Sequence, residues 1–147
     1  MRFNDVIAEQ KAKLAPLLER GRYYRAIKRP KGLGIRKARQ CYYNAQCLTI
    51  EGRGRYIEGI VYCQIRKDSW LDIPHAWITR DGETAIDVTL KDAEQHIYFG
   101  IEFSAKEVAA LCLNDARESQ SLLNGSIGFV MWTPPNFPAL PLFSQRG

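Results

Sequence analysis

The sequence predicts an α+β fold in a single domain, and three observations predict it. The apolar period is helical up to about residue 51, two-residue from 56 to 89, and helical again from 104. The 147 residues are 46% hydrophobic, 25% charged and 11% aromatic, a globular composition that excludes a disordered tail, a collagen-like repeat or a coiled coil. No apolar run approaches the ~18 residues of a membrane helix, and the opening MRFNDVIAEQKAK lacks the apolar stretch of a secretory signal. A cytoplasmic location is therefore expected. A chain of this length buries roughly 68% of its unfolded surface and needs no metal or disulfide staple to fold.

Residues 4–20 form the first expected helix, with Asn4 or Asp5 as N-cap, Val6, Ile7, Leu14, Leu17 and Leu18 as its apolar side, and Pro16 as a bend. Residues 20–39 carry nine basic residues and no acid, and Gly21, Pro30, Gly32 and Gly34 break any long helix there. CYYNAQCLTIE, 41–51, reads as a helix ended by Gly52 and Gly54. Strands are expected at 56–66 and 74–80, a turn at Asp81-Gly82, and a third strand at 83–89. Ser104 stands three before Glu107, the capping-box spacing, so 104–113 reads as a helix, followed by a short one near 114–123. The closing TPPNFPALPLFSQRG holds four of the seven prolines and reads as an extended tail lying on the body. The single domain, 1–147, thus divides into a basic N-terminal helix and loop (1–39), a core (40–123) with a helix on a small antiparallel sheet, and a Pro-rich extension (124–147).

The net charge of +5 is unevenly placed. Residues 11–39 hold eleven Lys/Arg and one acid, Glu19, whereas 40–147 hold nine basic and thirteen acidic residues. The basic stretch, interleaved with Tyr23 and Tyr24, suits a nucleic-acid arm or a solvated surface. It also leads directly into Cys41, where its cations favour a thiolate and attract an acidic protein or peptide substrate.

The four cysteines, Cys41, Cys47, Cys63 and Cys112, form no CxxC, and His75 and His96 do not fall at zinc-finger spacing. Reduced thiols are expected, with Cys47, Cys63 and Cys112 packed as small buried hydrophobes. GLGIRK lacks phosphate-loop spacing, and no GxGxxG stands in a parallel βαβ context. His96 reads as surface or packing. Glu58, inside an apolar strand, is either solvated or a buried charge near the site. Trp77 and Tyr98 line a substrate cleft or pack in the core.

A nucleophilic thiol needs a lowered proton affinity, a base within reach and a group that orients the base. Cys41 opens a helix, where unpaired N–H groups favour a thiolate and can receive an oxyanion. A three-residue loop, Arg80-Asp81-Gly82, pairs Thr79 with Glu83 and so sets His75 directly opposite Asp87. That register puts Ala76, Ile78, Ile86 and Val88 on one face, the cleaner amphipathic pattern, and an imidazole and a carboxylate together on the other. Taken singly, Cys41 reads as a packing residue and His75 and Asp87 as an ordinary sheet pair; their conjunction is the specific signal.

The run from Cys41 to Thr89 resembles the core of transglutaminase-like enzymes, within the wider papain-like group of thiol hydrolases. The resemblance rests on Cys41-Tyr42-Tyr43-Asn44-Ala45, the strand centred on Gly59, His75-Ala76-Trp77-Ile78 and Asp87-Val88-Thr89, about a third of the chain. Val88 stands where the family has proline after the Asp, and Tyr42 where papain-like proteases often have tryptophan. The resemblance implies a papain-like fold with Cys41 as nucleophile, His75 as base and Asp87 as orienting carboxylate. It implies amide chemistry through a thioester, by hydrolysis or acyl transfer, with no cofactor and no metal. Gln40 is the one nearby amide side chain offered for the oxyanion. Cys41 to Asn44, His75 to Trp77 and Tyr98-Phe99-Gly100 are also similar to small uncharacterised phage and bacterial proteins, which supplies no activity. The expected function is a cysteine hydrolase or acyl transferase. The alternative is a catalytically silent module that binds nucleic acid or an acidic protein through residues 20–39.

Overall fold

The computed structural model describes residues 14–66, 69–114 and 134–137. It is an α+β fold: a curled five-stranded sheet with three helices. Helix α1 covers 14–20, strand β1 is Arg22–Ala26 and helix α2 is Cys41–Ile50. Strands β2 (Arg55–Arg66), β3 (Ser69–Thr79), β4 (Thr84–Ala85) and β5 (Ile97–Phe103) follow, with a 3-10 turn at Ala93–Gln95, and helix α3 is Ala105–Asn114. The sheet order is β3-β2-β5-β1-β4. Residues 4–13 of the expected first helix, nearly all of the expected helix near 114–123 and most of the Pro-rich tail lie outside the described residues.

Two expectations about the sheet are corrected. It is mixed rather than antiparallel, because β1 pairs with β4 in parallel and with β5 in antiparallel sense. The basic segment 20–39 is not all loop, since it contributes β1 to the sheet interior. Its adjacent aromatics have a structural origin: Tyr23 packs against the helix-bearing cluster and Tyr24 is buried in the cluster on the other face, because successive strand residues point to opposite faces, while Arg22 and Arg25 are exposed.

The turn after β3 is also wider than expected. Ile78 and Ile86 exchange both backbone hydrogen bonds, at 3.1 and 2.8 Å, so neither a two-residue nor a three-residue loop joins them. The Asp81 carboxylate is the cause. Its Oδ1 accepts from the N–H groups of Glu83 and Thr84 and from the Thr84 hydroxyl, at 2.8–2.9 Å, and rolls the chain into a longer loop. Residues 84–85 then pair with β1 instead of β3, so the expected strand at 83–89 is only two residues long plus the Ile86 bridge. The shift from the expected register is two residues, an even number, so no side chain changes face. Ala76, Ile78, Ile86 and Val88 lie together in the larger core cluster. The Ile78–Ile86 bridge also ties the β3 edge to the residue after β4 and curls the sheet nearly closed.

That larger cluster fills the face carrying the helices, with Leu14 and Leu17 of α1, Ala45 and Leu48 of α2 and Val108 of α3 against Tyr56, Ile60, Phe99 and Ile101. The opposite face holds Tyr24, Ile57, Val61, Cys63, Trp77, Ala85 and Tyr98. The capping box closes as expected: Glu107 N–H donates to Ser104 Oγ and Ser104 N–H to Glu107 Oε1, each at 3.1 Å. In the C-terminal extension, Phe137 packs edge-on against Tyr62 and Trp70.

One row across the sheet matters for the site. His75 on β3, Gly59 on β2 and Gly100 on β5 are register partners. A Cβ on Gly100 would meet Glu58 O at 2.6 Å and the Trp77 ring at 2.7 Å. Gly100 therefore leaves the space into which Trp77, on the strand of His75, lays its indole, and Gly59 lets the backbone of β5 come close. Gly100→Ala is expected to destabilise the fold by on the order of 3 kcal/mol, read from the urea midpoint. A variant as stable as the parent would show that this space is not tight.

Candidate active site

Cys41 is the first residue of α2, and it is half-buried. The chain enters this helix through Arg39 at φ 66, a left-handed conformation uncommon for a side-chain-bearing residue. Gln40 occupies the N-cap, is exposed, and makes no capping bond with its side chain. Its carbonyl accepts from Asn44 N–H at 2.8 Å, so the N–H groups of the preceding first-turn residues have no helical partner. The amide side chain offered for the oxyanion is thus an open surface group, whereas backbone donors stand beside the thiol.

His75 and Asp87 are fully enclosed, at 3% and 0% exposure. His75 Nε2–H donates to Asp87 Oδ2 at 2.8 Å. They are neighbours on one face but not register partners, since the wider loop slides Asp87 along the chain. The Cys41 side chain lies close enough to the same imidazole to raise it. With Nε2 committed to Asp87, Nδ1 is the ring nitrogen left for the thiol. The three expected site residues, from a helix start, a strand and the segment after β4, are therefore brought into one line.

The carboxylate is saturated. Oδ1 accepts from the N–H groups of Thr89 and Leu90 at 2.8 and 3.0 Å, and Oδ2 accepts from the Tyr98 phenol at 2.7 Å as well as from His75. Burial pushes Asp87 up, but the His75 charge and these hydrogen bonds hold it below its ordinary value. For His75 burial acts downward, while the Asp87 charge, its hydrogen bond and the contact with Cys41 outweigh it and raise the imidazole to about 10. A buried imidazolium paired with a carboxylate is the form this geometry favours.

Asn44 and Tyr98, the latter through its bond to Asp87, acquire roles that sequence reasoning missed. Asn44, 2% exposed, donates through Nδ2 to Lys37 O and Thr89 Oγ1, both at 2.9 Å. It pins the Cys41 helix both to the loop that feeds it and to the turn that holds Asp87. A polar residue three after Cys41 in an apolar helix was the available signal. Of the two places offered for Tyr98 and Trp77, a substrate cleft or the core, the structure takes the core, at 0% and 1% exposure. Trp77 stacks at 21° to the His75 ring, and Tyr98 meets Trp77 edge-on at 5.0 Å. Both belong to β positions whose face is closed by the curl of the sheet, so neither reaches a substrate.

The remaining candidates lie apart. Glu58 is buried on the helix-bearing face, where it accepts from the Tyr56 phenol at 2.9 Å, and Tyr56 in turn accepts from Gln46 Nε2. It is a packing charge between α2 and the sheet rather than a solvated one. Cys63 is buried, and burial pushes its thiol up to about 11. Cys47 and Cys112 are half-buried rather than buried. His96 is half-buried just before β5 and is lowered by burial. Two surface hollows of about 540 and 460 Å³, one lined by Arg20, Arg22 and Arg55 and one by Lys28, Arg29 and Lys31, include none of the three aligned residues. Among the described residues no cluster of His, Cys, Asp and Glu could hold a metal ion, and no helix is long and apolar enough to cross a membrane.

No protein-family model, curated protein or solved structure matches the chain. The functional reading rests on the arrangement itself.

Proposed function

We propose that the chain is a cysteine-dependent amide or peptide-bond hydrolase or acyl transferase with a transglutaminase-type, papain-like core. The observation that carries this reading is the Cys41–His75–Asp87 line, with its enclosed 2.8 Å His–Asp hydrogen bond and a helix N-terminus at the half-buried thiol. Such a conjunction answers the three needs of a thiol nucleophile: a base, an orienter for the base, and donors for an oxyanion.

In this reading His75 Nδ1 holds the proton that Cys41 gives up, and the thiolate attacks the substrate carbonyl. The oxyanion forms near the unpaired N–H groups of the first turn of α2. The imidazolium then gives its proton to the departing amine, leaving a thioester on Cys41. Water or a second amine, deprotonated by His75, attacks the thioester, and the thiolate leaves beside the imidazolium that this proton transfer restores. Asp87 keeps Nε2 protonated throughout, so Nδ1 is always the nitrogen facing sulfur. Lys37 and Arg39, exposed on the loop entering Cys41, suit an acidic acyl donor.

The test is iodoacetamide labelling with mapping of the modified residue. At pH 6 Cys41 is expected to react on the order of 100-fold faster than Cys47 and Cys112, and His75→Ala abolishes the preference. Equal sluggishness of all the thiols would remove the enzyme reading and leave the silent binding module.

A further inference from the structure

Tyr98 carries a hydroxyl where a phenylalanine would fill the same volume. Its ring is wholly enclosed against Trp77, and a buried hydroxyl is costly without a partner. The partner it has is Asp87 Oδ2, at 2.7 Å, the oxygen that also takes His75 Nε2–H. Burial, with the nearby Asp87 charge, raises Tyr98 well above the usual phenol range, so it remains a neutral donor.

An ionised carboxylate offers about four acceptor positions. Two on Oδ1 are taken by the Thr89 and Leu90 N–H groups, and two on Oδ2 by His75 and Tyr98. Without the phenol, the Oδ2 side would be tied to the rest of the molecule by His75 alone. The carboxylate could then rock about its Oδ1 anchor and carry the imidazole with it. The phenol also draws off charge that would otherwise bear on the imidazolium.

We propose that Tyr98 is a positioning residue of the Cys41–His75–Asp87 line, clamping the carboxylate oxygen that holds His75 so that the imidazole stays on the thiol. The inference rests on the function proposed above. The titratable groups around the pair are Cys41 on α2, Cys63 on β2, and His96 and Tyr98 at and just before β5. Of these, only Tyr98 donates to Oδ2 alongside His75.

Tyr98→Phe is tested by NMR titration of the His75 imidazole and by the rate of Cys41 labelling at pH 6. The imidazolium is expected to titrate higher by about one pH unit, because Oδ2 keeps more charge, while labelling slows about tenfold as His75 loosens. Tyr56→Phe is the control. It deletes another buried phenol–carboxylate bond, to Glu58 at 2.9 Å, on the opposite face of the sheet, and is expected to leave both readings unchanged. Replacing Tyr98 by 3-fluorotyrosine preserves shape and strengthens the donor, so it moves the His75 titration downward and serves if the Phe variant fails to fold. Unchanged His75 titration in both Tyr98 variants, or an equal shift in Tyr56→Phe, would overturn the proposal. Wild-type Cys41 labelling no faster than Cys47 would instead overturn the enzyme reading, whatever Tyr98 does to His75.

Discussion

Asp87→Asn is expected to lower any turnover at Cys41 by about 10⁴-fold while leaving a folded chain. Four donors converge on this side chain: two backbone N–H groups, the Tyr98 phenol and His75 Nε2–H. A carboxylate accepts all four, but an amide has one oxygen. With the amide oxygen on the backbone side, its NH2 faces His75 and Tyr98 and forces Nε2 to become an acceptor. The imidazole proton then moves to Nδ1, and the base can no longer take a proton from sulfur. Burial, the strongest influence on His75, is then opposed by Cys41 alone, so the imidazole drops well below about 10. Labelling of Cys41 at pH 6 falls to the rate of Cys47, and NMR shows a neutral His75. An Asp87→Asn chain that keeps fast, selective Cys41 labelling would refute the role given to the carboxylate.

Stability is expected to fall steeply between pH 7 and pH 9 because His75 is held protonated in the fold. Its folded value is raised above the unfolded one, to about 10. The stabilisation from the charged pair is therefore complete below about pH 6.5 and is lost as pH rises towards 10. Across that window the folded chain carries one proton that the unfolded chain has released, which makes the slope roughly 1 kcal/mol for each pH unit. Asp87, lowered in the fold, acts at the other end: its contribution is present above the ordinary carboxylate range and is lost on acidification below it. Asp81, lowered by its loop hydrogen bonds, acts in the same acid region, so the alkaline limb is the cleaner reading. Cys63 and the buried tyrosines, all raised, add a further loss only above about pH 9. Urea denaturation from pH 6 to 9 measures the slope, and in Asp87→Asn the slope disappears between pH 7 and 9. A flat profile in the parent would mean that His75 is neutral in the fold.

Much of the site was legible in the chain because it depended on parity and local spacing. The alternation of Ala76, Ile78, Ile86 and Val88 puts His75 and Asp87 on one face under any even register shift, and the actual shift was even. The helix beginning at Cys41 and the Ser104–Glu107 capping box are local features, written in adjacent residues. The register itself was not legible. It turns on Asp81 accepting three hydrogen bonds in its own loop and on β1 claiming Thr84 and Ala85, and that pairing joins residues far apart in sequence.

The basic segment shows the same division. Its composition announces nine cations and breaks in helix propensity, and a loop follows from those alone. Tyr23 and Tyr24 become strand residues only because Phe99 and Tyr98 on β5 offer them a neighbour. Asn44 and Tyr98 likewise had no local signature for what they hold, since their partners, Thr89 and Asp87, come from other elements.

By itself, then, the sequence determined the fold class, the faces of the strands and the three residue types that converge, because hydrophobic period and capping are short-range physics. Only the tertiary structure decided which hydrogen bonds saturate Asp87, that Trp77 and Tyr98 are walled in, and that His75 meets the Cys41 thiol. Those outcomes depend on the curl of the sheet, which brings a carboxylate, a phenol and an imidazole into one water-excluded space where each lone pair must find a donor.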